Sequence, residues 1–135
     1  MAQYTRNSIY TYIADAINTN NRPVYCVGVY EPTPSEFPCA YIPETEHRPS
    51  RDAVTLTFTD EQLLDSWEVQ VFSNLTDGAL SEAYDIIADV EIAFKQLYFI
   101  ETFCSQVQNI DPSVIRVVAR FTRVYGDNDQ MPDNN

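Results

Sequence analysis

Hydrophobic residues recur along the chain at two spacings, one typical of helices and the other typical of strands. Isoleucines repeat every four residues over 8–17, which predicts an amphipathic helix with Ser8 as its N-cap. A longer apolar stripe at three-and-four-residue spacing predicts a second helix over 77–98. Each helix has one polar side, so each must bury its apolar side against another layer of the protein.

Alternating or β-branched apolar runs predict strands before, between and after the two helices. These runs lie at 24–30, 39–42, 53–59, 66–74, 99–110 and 114–125. The strands 53–59 and 66–74 are close enough in sequence to form an antiparallel, hairpin-like pair. The polar stretch 44–52 predicts a loop, and the stretch 60–65 predicts a turn or a short helical piece.

Strands in sequence-local pairs, with the helices set apart from them, indicate an α+β fold. We therefore expect a mostly antiparallel sheet with the long helix and the N-terminal helix packed on one face. A chain of 135 residues, 44% of them hydrophobic, is long enough for one such domain, which we place at 1–126. The polar, acidic segment 127–135 predicts a flexible C-terminal tail.

The charge of the chain limits the classes of partner that we expect, and the cysteine spacing indicates the redox state of its thiols. Twenty acidic and eight basic residues give a net charge of −12, which argues against nucleic acid as the main partner, because nucleic-acid binding needs a basic surface. No run of about 18 apolar residues is present, so no membrane span is predicted. Cys26, Cys39 and Cys104 are widely spaced, which predicts reduced, buried thiols, with a disulfide between two of them as the alternative.

Three of the eight basic residues lie in the last predicted strand, as Arg116, Arg120 and Arg123. Because side chains alternate along a strand, Arg116 and Arg120 should share the open face of the sheet, and Arg123 should point to the face that meets the helices. One interpretation is that these arginines contact carboxylates of another subunit or protein. The alternative is that they pair across the sheet with Glu68 or Glu101, for a modest gain in stability.

Acidic residues are concentrated in the segment 52–91, which holds ten of them and no lysine or arginine. On the exposed side of the second helix, the candidate partners of the arginines, or alternatively residues that face a lumen, are Glu82, Asp85 and Asp89. A negative surface and a separate arginine strip suit head-to-tail contacts between identical subunits, whereas the alternative is an ordinary solvated helix face. The polar loop is long enough to reach a neighbouring subunit, and its interface candidates are His47, Arg48 and Arg51.

Patterns that mark catalytic or cofactor sites are missing from the sequence. His47 is the single histidine and lies in a polar segment, so neither a Ser–His nor a Cys–His arrangement can be argued without it. The cysteines lack zinc-site spacing, and three glycines in the whole chain leave no phosphate-binding glycine-rich loop. We therefore predict no catalytic residue, no metal site and no cofactor, and a protein that is not an enzyme.

Four segments resemble, in order, the tail-terminator and tail-completion proteins of tailed bacteriophages. They are "FPCAYIPE", "WEVQVFSN", "SEAYDIIADVEIAF" and "IDPSVIRVVARFTRVYG". The resemblance covers 8–126, and its most telling parts are the Trp-led strand that runs into the long helix and the closing strand of arginines and aromatics.

The resemblance implies a structural virion protein at the tail–neck junction, made in the cytoplasm of the host bacterium. Similar proteins form a ring, usually a hexamer, that caps the tail tube and joins it to the head-completion, or stopper, protein. The resemblance thus implies a homohexamer with these two neighbours, no membrane, and DNA that passes through the lumen without specific binding. The alternatives are another head–tail connector of the neck and a small acidic binding or inhibitor module.

Overall fold

A computed structural model of the chain shows two helices and a six-stranded sheet within the residues that it describes. Those residues are 4–18, 22–31, 34–49, 62–109 and 111–126. In chain order the elements are α1 (Arg6–Ile17), β1 (Tyr25–Val27), β2 (Cys39–Tyr41), β3 (Glu44–Pro49), β4 (Gln62–Ser73), α2 (Ala79–Gln96), β5 (Ile100–Val107) and β6 (Ile115–Gly126).

The sheet is built around one long antiparallel pair, β4 and β6, which are twelve residues each and pair along their whole length. The strand order is β1-β2-β4-β6-β5, and β3 pairs with the N-terminal half of β4 on the same side as β2. Only β1 and β2 pair in parallel among the described strands. The predicted α+β fold with a mostly antiparallel sheet is therefore confirmed.

Both helices pack on the same face of the sheet and bury one hydrophobic core, as predicted. Phe94 of α2 lies at the centre of this core, with its ring stacked on Phe121 of β6 at a centroid distance of 4.3 Å. α1 contacts α2, and Tyr12 donates a hydrogen bond of 3.0 Å to Gln96 between them. Within the described residues, neither helix combines the length and apolarity needed to cross a membrane.

α1 begins earlier than the sequence pattern predicts. Its N-cap is Thr5, whose side chain accepts a hydrogen bond from the backbone N–H of Ser8 at 3.1 Å. The hydroxyl of Ser8 in turn accepts from the backbone N–H of Thr5 at 2.9 Å, which completes a capping box. The prediction that Ser8 is the N-cap is wrong, because Ser8 is the return half of the box in the first helical turn.

The predicted polar loop at 44–52 is a strand, β3, over its described part Glu44–Pro49. The neighbouring prediction of a turn or helical piece over 60–65 is also wrong for its described part, since residues from Gln62 onward already belong to β4. Among the described strands β3 pairs only with β4, and the backbone hydrogen bonds to β4 stabilise its extended form despite its polar side chains. The predicted strand 53–59 and the tail 127–135 lie outside the described residues.

The three cysteines are free thiols, but they differ in exposure. Cys39 is buried and Cys26 is partly buried, so the prediction of buried thiols holds for Cys39. Cys104 is exposed on β5, where the prediction is wrong. The edge position of β5 explains this difference, because one side of that strand has no neighbour among the described residues.

Candidate functional site

The face of the sheet opposite the helices carries a ladder of hydrogen-bonded polar side chains. Arg120 and Glu68 are cross-strand partners, and Arg120 Nε donates to Glu68 Oε1 at 2.7 Å. Gln70 Nε2 donates to the other oxygen of Glu68 at 2.8 Å. Arg116 Nε donates to Gln70 Oε1 at 3.0 Å, so the ladder links both arginines to β4. The predicted open-face position of Arg116 and Arg120 is confirmed.

This ladder keeps the central carboxylate charged. Burial alone would raise the pKa of Glu68, but hydrogen bonds from Arg120 and Gln70 outweigh it and lower the pKa below its ordinary value. The interpretation that the arginines pair across the sheet with a carboxylate of their own chain is therefore correct for Arg120, which bonds Glu68. Each arginine nevertheless uses its Nε for its hydrogen bond to β4, and a guanidinium has four further N–H donors on its two terminal nitrogens.

Exposed apolar side chains lie on the same face as Arg120, and one of them contacts it. Its guanidinium lies 4.9 Å from the ring centroid of Phe103, the partner residue on β5. Ile100 is 68% exposed, Val124 is 44% exposed and Phe103 is 37% exposed. Arginine and aromatic residues are enriched at protein interfaces relative to the rest of the surface, so this combination is typical of an interface.

Arg48 joins this open face from the other end of the sheet. It is the cross-strand partner of Leu64 on β4, and its side chain forms an ion pair with Glu46 of the same strand. The structure therefore places three of the predicted interface arginines, Arg48, Arg116 and Arg120, on one face of the sheet. Arg51 lies outside the described residues.

Arg123 points to the helix-bearing face, as its position in the strand predicts. It donates from its Nη1 to the backbone oxygen of Leu97 at 2.6 Å, just after the end of α2. Its guanidinium also lies over the ring of Tyr4 at 4.3 Å and near that of Tyr98 at 5.4 Å. These contacts tie the N-terminal segment, the end of α2 and β6 together.

The acids of α2 lie on the other side of the molecule from the open face, and two of the three have partners in their own chain. Glu82 accepts a hydrogen bond of 2.7 Å from the hydroxyl of Ser73. Asp89 forms an ion pair with Arg22. Asp85 is exposed, and it makes no hydrogen bond or ion pair with the described part of the chain.

His47 belongs to a polar cluster that a β-bulge creates on the helix-bearing face. Residues three apart on a regular strand point to opposite faces. A register shift between Glu44 and Glu46 adds one residue to β3, so that Glu44 and His47 point to the same face. Their cross-strand partners on β4 are Trp67 and Asp65 respectively. His47 thus lies on a strand, in contrast to its predicted loop position.

The cluster formed by Glu44, His47 and Asp65 combines a buried carboxyl group with a half-exposed imidazole. His47 Nδ1 lies 3.5 Å from Glu44 Oε2 and 3.9 Å from Asp65 Oδ1. The side chain of Asp65 is 0% exposed and that of His47 is 43% exposed. Trp67 Nε1 donates to Asp65 Oδ2 at 3.0 Å, whereas Asp65 Oδ1 and Glu44 Oε2 accept no hydrogen bond from the described residues. Burial and the Glu44 carboxyl raise the pKa of Asp65 to about 8.

A second acidic cluster lies between α2 and β5. Glu91, Glu101 and Cys104 place ligand-type atoms within 4.8 Å of one another, beside a groove of about 520 Å³. Burial and the neighbouring Glu91 carboxyl raise the pKa of Glu101 to about 7. Glu101 and Cys104 are both exposed, so solvent reaches this cluster freely.

Sequence reasoning missed Glu44 and Asp65 as members of a cluster. One signal was present for Asp65: alternation along the predicted strand, extended by one residue upstream, puts it on the same inward face as Trp67. A carboxyl group at an inward position is unusual and marks a site worth examining. No comparable signal exists for Glu44, because its orientation depends on the bulge.

Comparison with known proteins adds no assignment to this geometry. No model of a protein family matches the chain, and no curated protein is significantly similar to it in sequence.

Proposed function

We propose that the protein is a structural subunit of the head–tail junction of a tailed bacteriophage and catalyses no reaction. Copies of the chain assemble head to tail into a ring, a hexamer in the simplest case. The ring caps the tail tube and joins it to the head-completion protein. The proposed position in the virion rests on the sequence resemblance, and the proposed assembly into a ring is supported by the open surface of the sheet.

One observation carries the assembly proposal: hydrogen bonds within the chain orient Arg116 and Arg120, but most N–H donors of both guanidinium groups bond to none of the described residues. Each is oriented by one hydrogen bond from its Nε, and the terminal nitrogens of both make no hydrogen bond with the described residues. An arginine that is already ordered loses little conformational entropy when a partner carboxylate binds it. The exposed apolar residues Ile100, Phe103 and Val124 on the same face supply apolar area that a partner can bury.

The acidic partner surface lies on the opposite side of the same chain. α2 packs on the helix-bearing face, and its exposed Asp85 makes no internal ion pair within the described residues. Two complementary surfaces on opposite sides of one subunit produce heterologous contacts, which close into a ring when the rotation between subunits permits it. The net charge of −12 also suits a lumen through which DNA moves, because like charge prevents trapping of the DNA.

The mass of the protein in solution tests this proposal, measured by native mass spectrometry and light scattering across a range of concentrations. We expect a ring-sized species for the wild type and a folded monomer for the double variant Arg116→Glu, Arg120→Glu. Arg6→Glu is the control for charge reversal itself, because it makes the change of charge of one of the two substitutions on α1, away from the open face.

Two outcomes would argue against the proposal. If the wild type stays monomeric at its highest soluble concentration, an acidic binding or inhibitor module becomes the better interpretation. If the double variant assembles as the wild type does, subunits meet through another surface. Circular dichroism of each variant separates loss of assembly from loss of folding.

A further inference from the structure

We propose that Glu44, His47 and Asp65 form a binding site for a divalent transition-metal ion of the Zn²⁺ type, held between β3 and β4. The inference is independent of the proposed function, because it depends on the helix-bearing face of the sheet and not on the open face. It concerns one imidazole nitrogen and two carboxylate oxygens that come from two adjacent strands.

The spacing of the three ligand atoms fits a metal ion. They lie within 4.8 Å of one another, and the two distances from His47 Nδ1 are 3.5 and 3.9 Å. Ligand atoms of a tetrahedral zinc site lie about 3.4 Å apart, because each bond to the metal is about 2.0–2.1 Å long. The side chains therefore need to close by only a few tenths of an ångström at His47, which rotamer adjustment on two strands can supply.

The buried oxygens make the argument for a ligand stronger than proximity alone. Asp65 Oδ1 and Glu44 Oε2 are both buried and accept no hydrogen bond from the described residues. A buried carboxylate oxygen without a partner costs free energy, and such oxygens in proteins normally accept a hydrogen bond or bind a metal. Asp65 is bonded through Oδ2 alone, so its Oδ1 is the oxygen that remains to be satisfied. A divalent cation at this point satisfies both oxygens and balances the two carboxylate charges.

The hydrogen bond that Asp65 accepts from Trp67 is of the kind that orients a metal ligand in proteins. Trp67 Nε1 donates to Asp65 Oδ2 at 3.0 Å, which fixes the carboxylate and directs Oδ1 toward His47. Hydrogen bonds of this type orient metal ligands and raise affinity. The half-exposed imidazole of His47 gives an ion a path from solvent, and leaves room for water as a fourth ligand.

The chemistry of the donors selects the class of ion. Imidazole nitrogen suits Zn²⁺, Co²⁺ and Ni²⁺, whereas Ca²⁺ and Mg²⁺ prefer sites made of oxygen alone. The Glu91, Glu101 and Cys104 cluster carries no such proposal, because its central residue is exposed and it has no buried oxygen without a partner among the described atoms.

Trp67 provides a built-in reporter, since it is the single tryptophan of the chain and is bonded to one of the ligands. The full chain is first treated with a chelator and is then titrated with Zn²⁺ by calorimetry and with Co²⁺ by fluorescence. We expect one Zn²⁺ per chain, saturable quenching of Trp67 by Co²⁺, and recovery of the emission when Zn²⁺ displaces Co²⁺.

Variants then assign the binding to this cluster. Glu44→Gln and His47→Gln should each weaken Zn²⁺ binding by about tenfold or more, as losses around a metal centre do. Glu46→Gln is the matched control, because it changes an acid on the same strand whose partner is Arg48 on the open face, and it should bind as the wild type does.

Two results would overturn the proposal. One is a folded wild type that shows no saturable binding, which would leave Asp65 and Glu44 as two carboxyl groups that share a proton. The other is unchanged affinity in Glu44→Gln and His47→Gln. If those variants fail to fold, nitrogen NMR of the single imidazole in the wild type decides, since Zn²⁺ must shift the Nδ1 resonance of His47.

Discussion

Arg120 and Glu68 lie directly opposite each other on β6 and β4, and their side chains share a hydrogen bond of 2.7 Å. The two residues are unequally exposed, at 56% for the side chain of Arg120 and 19% for that of Glu68. The carboxylate therefore acts as a fixed anchor, while the guanidinium presents its outer nitrogens to solvent. One pair can thus stabilise the sheet and prepare a surface for a second copy of the chain.

Exchanging the two residues separates these two roles. The double variant Glu68→Arg, Arg120→Glu retains the cross-strand pair but reverses its direction, so we expect stability to change by no more than about 1 kcal/mol. Assembly should be lost, because the exposed position then carries a carboxylate. Urea unfolding and native mass spectrometry on the same sample measure the two effects.

The single variant Arg120→Ala is the companion to this exchange. It removes the pair and should also lose assembly with little loss of stability, because the interaction is partly exposed. Normal assembly of the exchanged variant would show that Arg120 is only a structural partner of Glu68.

Phe94 should be among the most costly core residues to truncate. Its ring stacks on Phe121 at 4.3 Å and meets Phe99 edge-on at 5.1 Å, so Phe94→Ala leaves a cavity between α2 and the sheet. The expected loss is about 3–5 kcal/mol of unfolding free energy, measured by urea denaturation. Phe103→Ala is the control, since this exposed ring should cost far less.

The paired carboxyls Glu91 and Glu101 predict a stability that falls as the pH rises. The pKa of Glu101 is raised to about 7 in the folded protein, from an ordinary value of 4.5, so the folded state holds this proton more tightly than the unfolded state does. The loss of unfolding free energy that this group causes is absent below its ordinary pKa and complete above its pKa in the folded protein. Glu101→Gln should therefore stabilise the protein at about pH 8 and not at about pH 4.

Asp85→Asn is the matched control for this pH dependence, because Asp85 is an exposed acid of α2 without a carboxyl partner among the described residues. Urea midpoints of both variants and the wild type at the two pH values make the comparison. Equal pH dependence in Glu101→Gln and the wild type would contradict the interaction between Glu91 and Glu101.

Cysteine reactivity should follow exposure. Burial raises the pKa of Cys39 to about 12 and that of Cys26 to about 11, so both thiols react slowly in the folded protein. Cys104 is exposed and should take the first alkyl group, although burial and the Glu101 carboxyl raise its pKa somewhat. Intact mass after iodoacetamide treatment should show one adduct in the native state and three in urea.

The variant Cys104→Ser serves as the control for this assignment and should take no adduct while folded. Rapid modification of Cys26 or Cys39 in the native wild type would mean that the sheet around β1 and β2 opens easily in solution.

Several features of the fold could be predicted because they depend on local periodicity. The apolar stripe of α2 and the alternation of β6 are properties of a few consecutive residues, so the helix-bearing face and the position of Arg116, Arg120 and Arg123 followed directly. The predictions of Ser8 as the N-cap of α1 and of a loop in place of β3 were wrong. Each depended on a contact, a capping box or a strand pairing, that the secondary-structure preferences of the residues do not reveal. Thr5 and Ser8 cap each other, and β3 is extended because β4 lies beside it.

The sequence by itself determined an α+β domain with helices on one face of the sheet and an arginine-bearing face turned away from them. The alternating pattern of β4 and β6 fixes which side of those strands is apolar, whatever the strands pair with. Only the tertiary structure decided that Arg120 meets Glu68, and that Glu44, His47 and Asp65 converge. Those contacts depend on strand register and on one bulge, which arise from backbone pairing between distant segments and leave no period in the sequence.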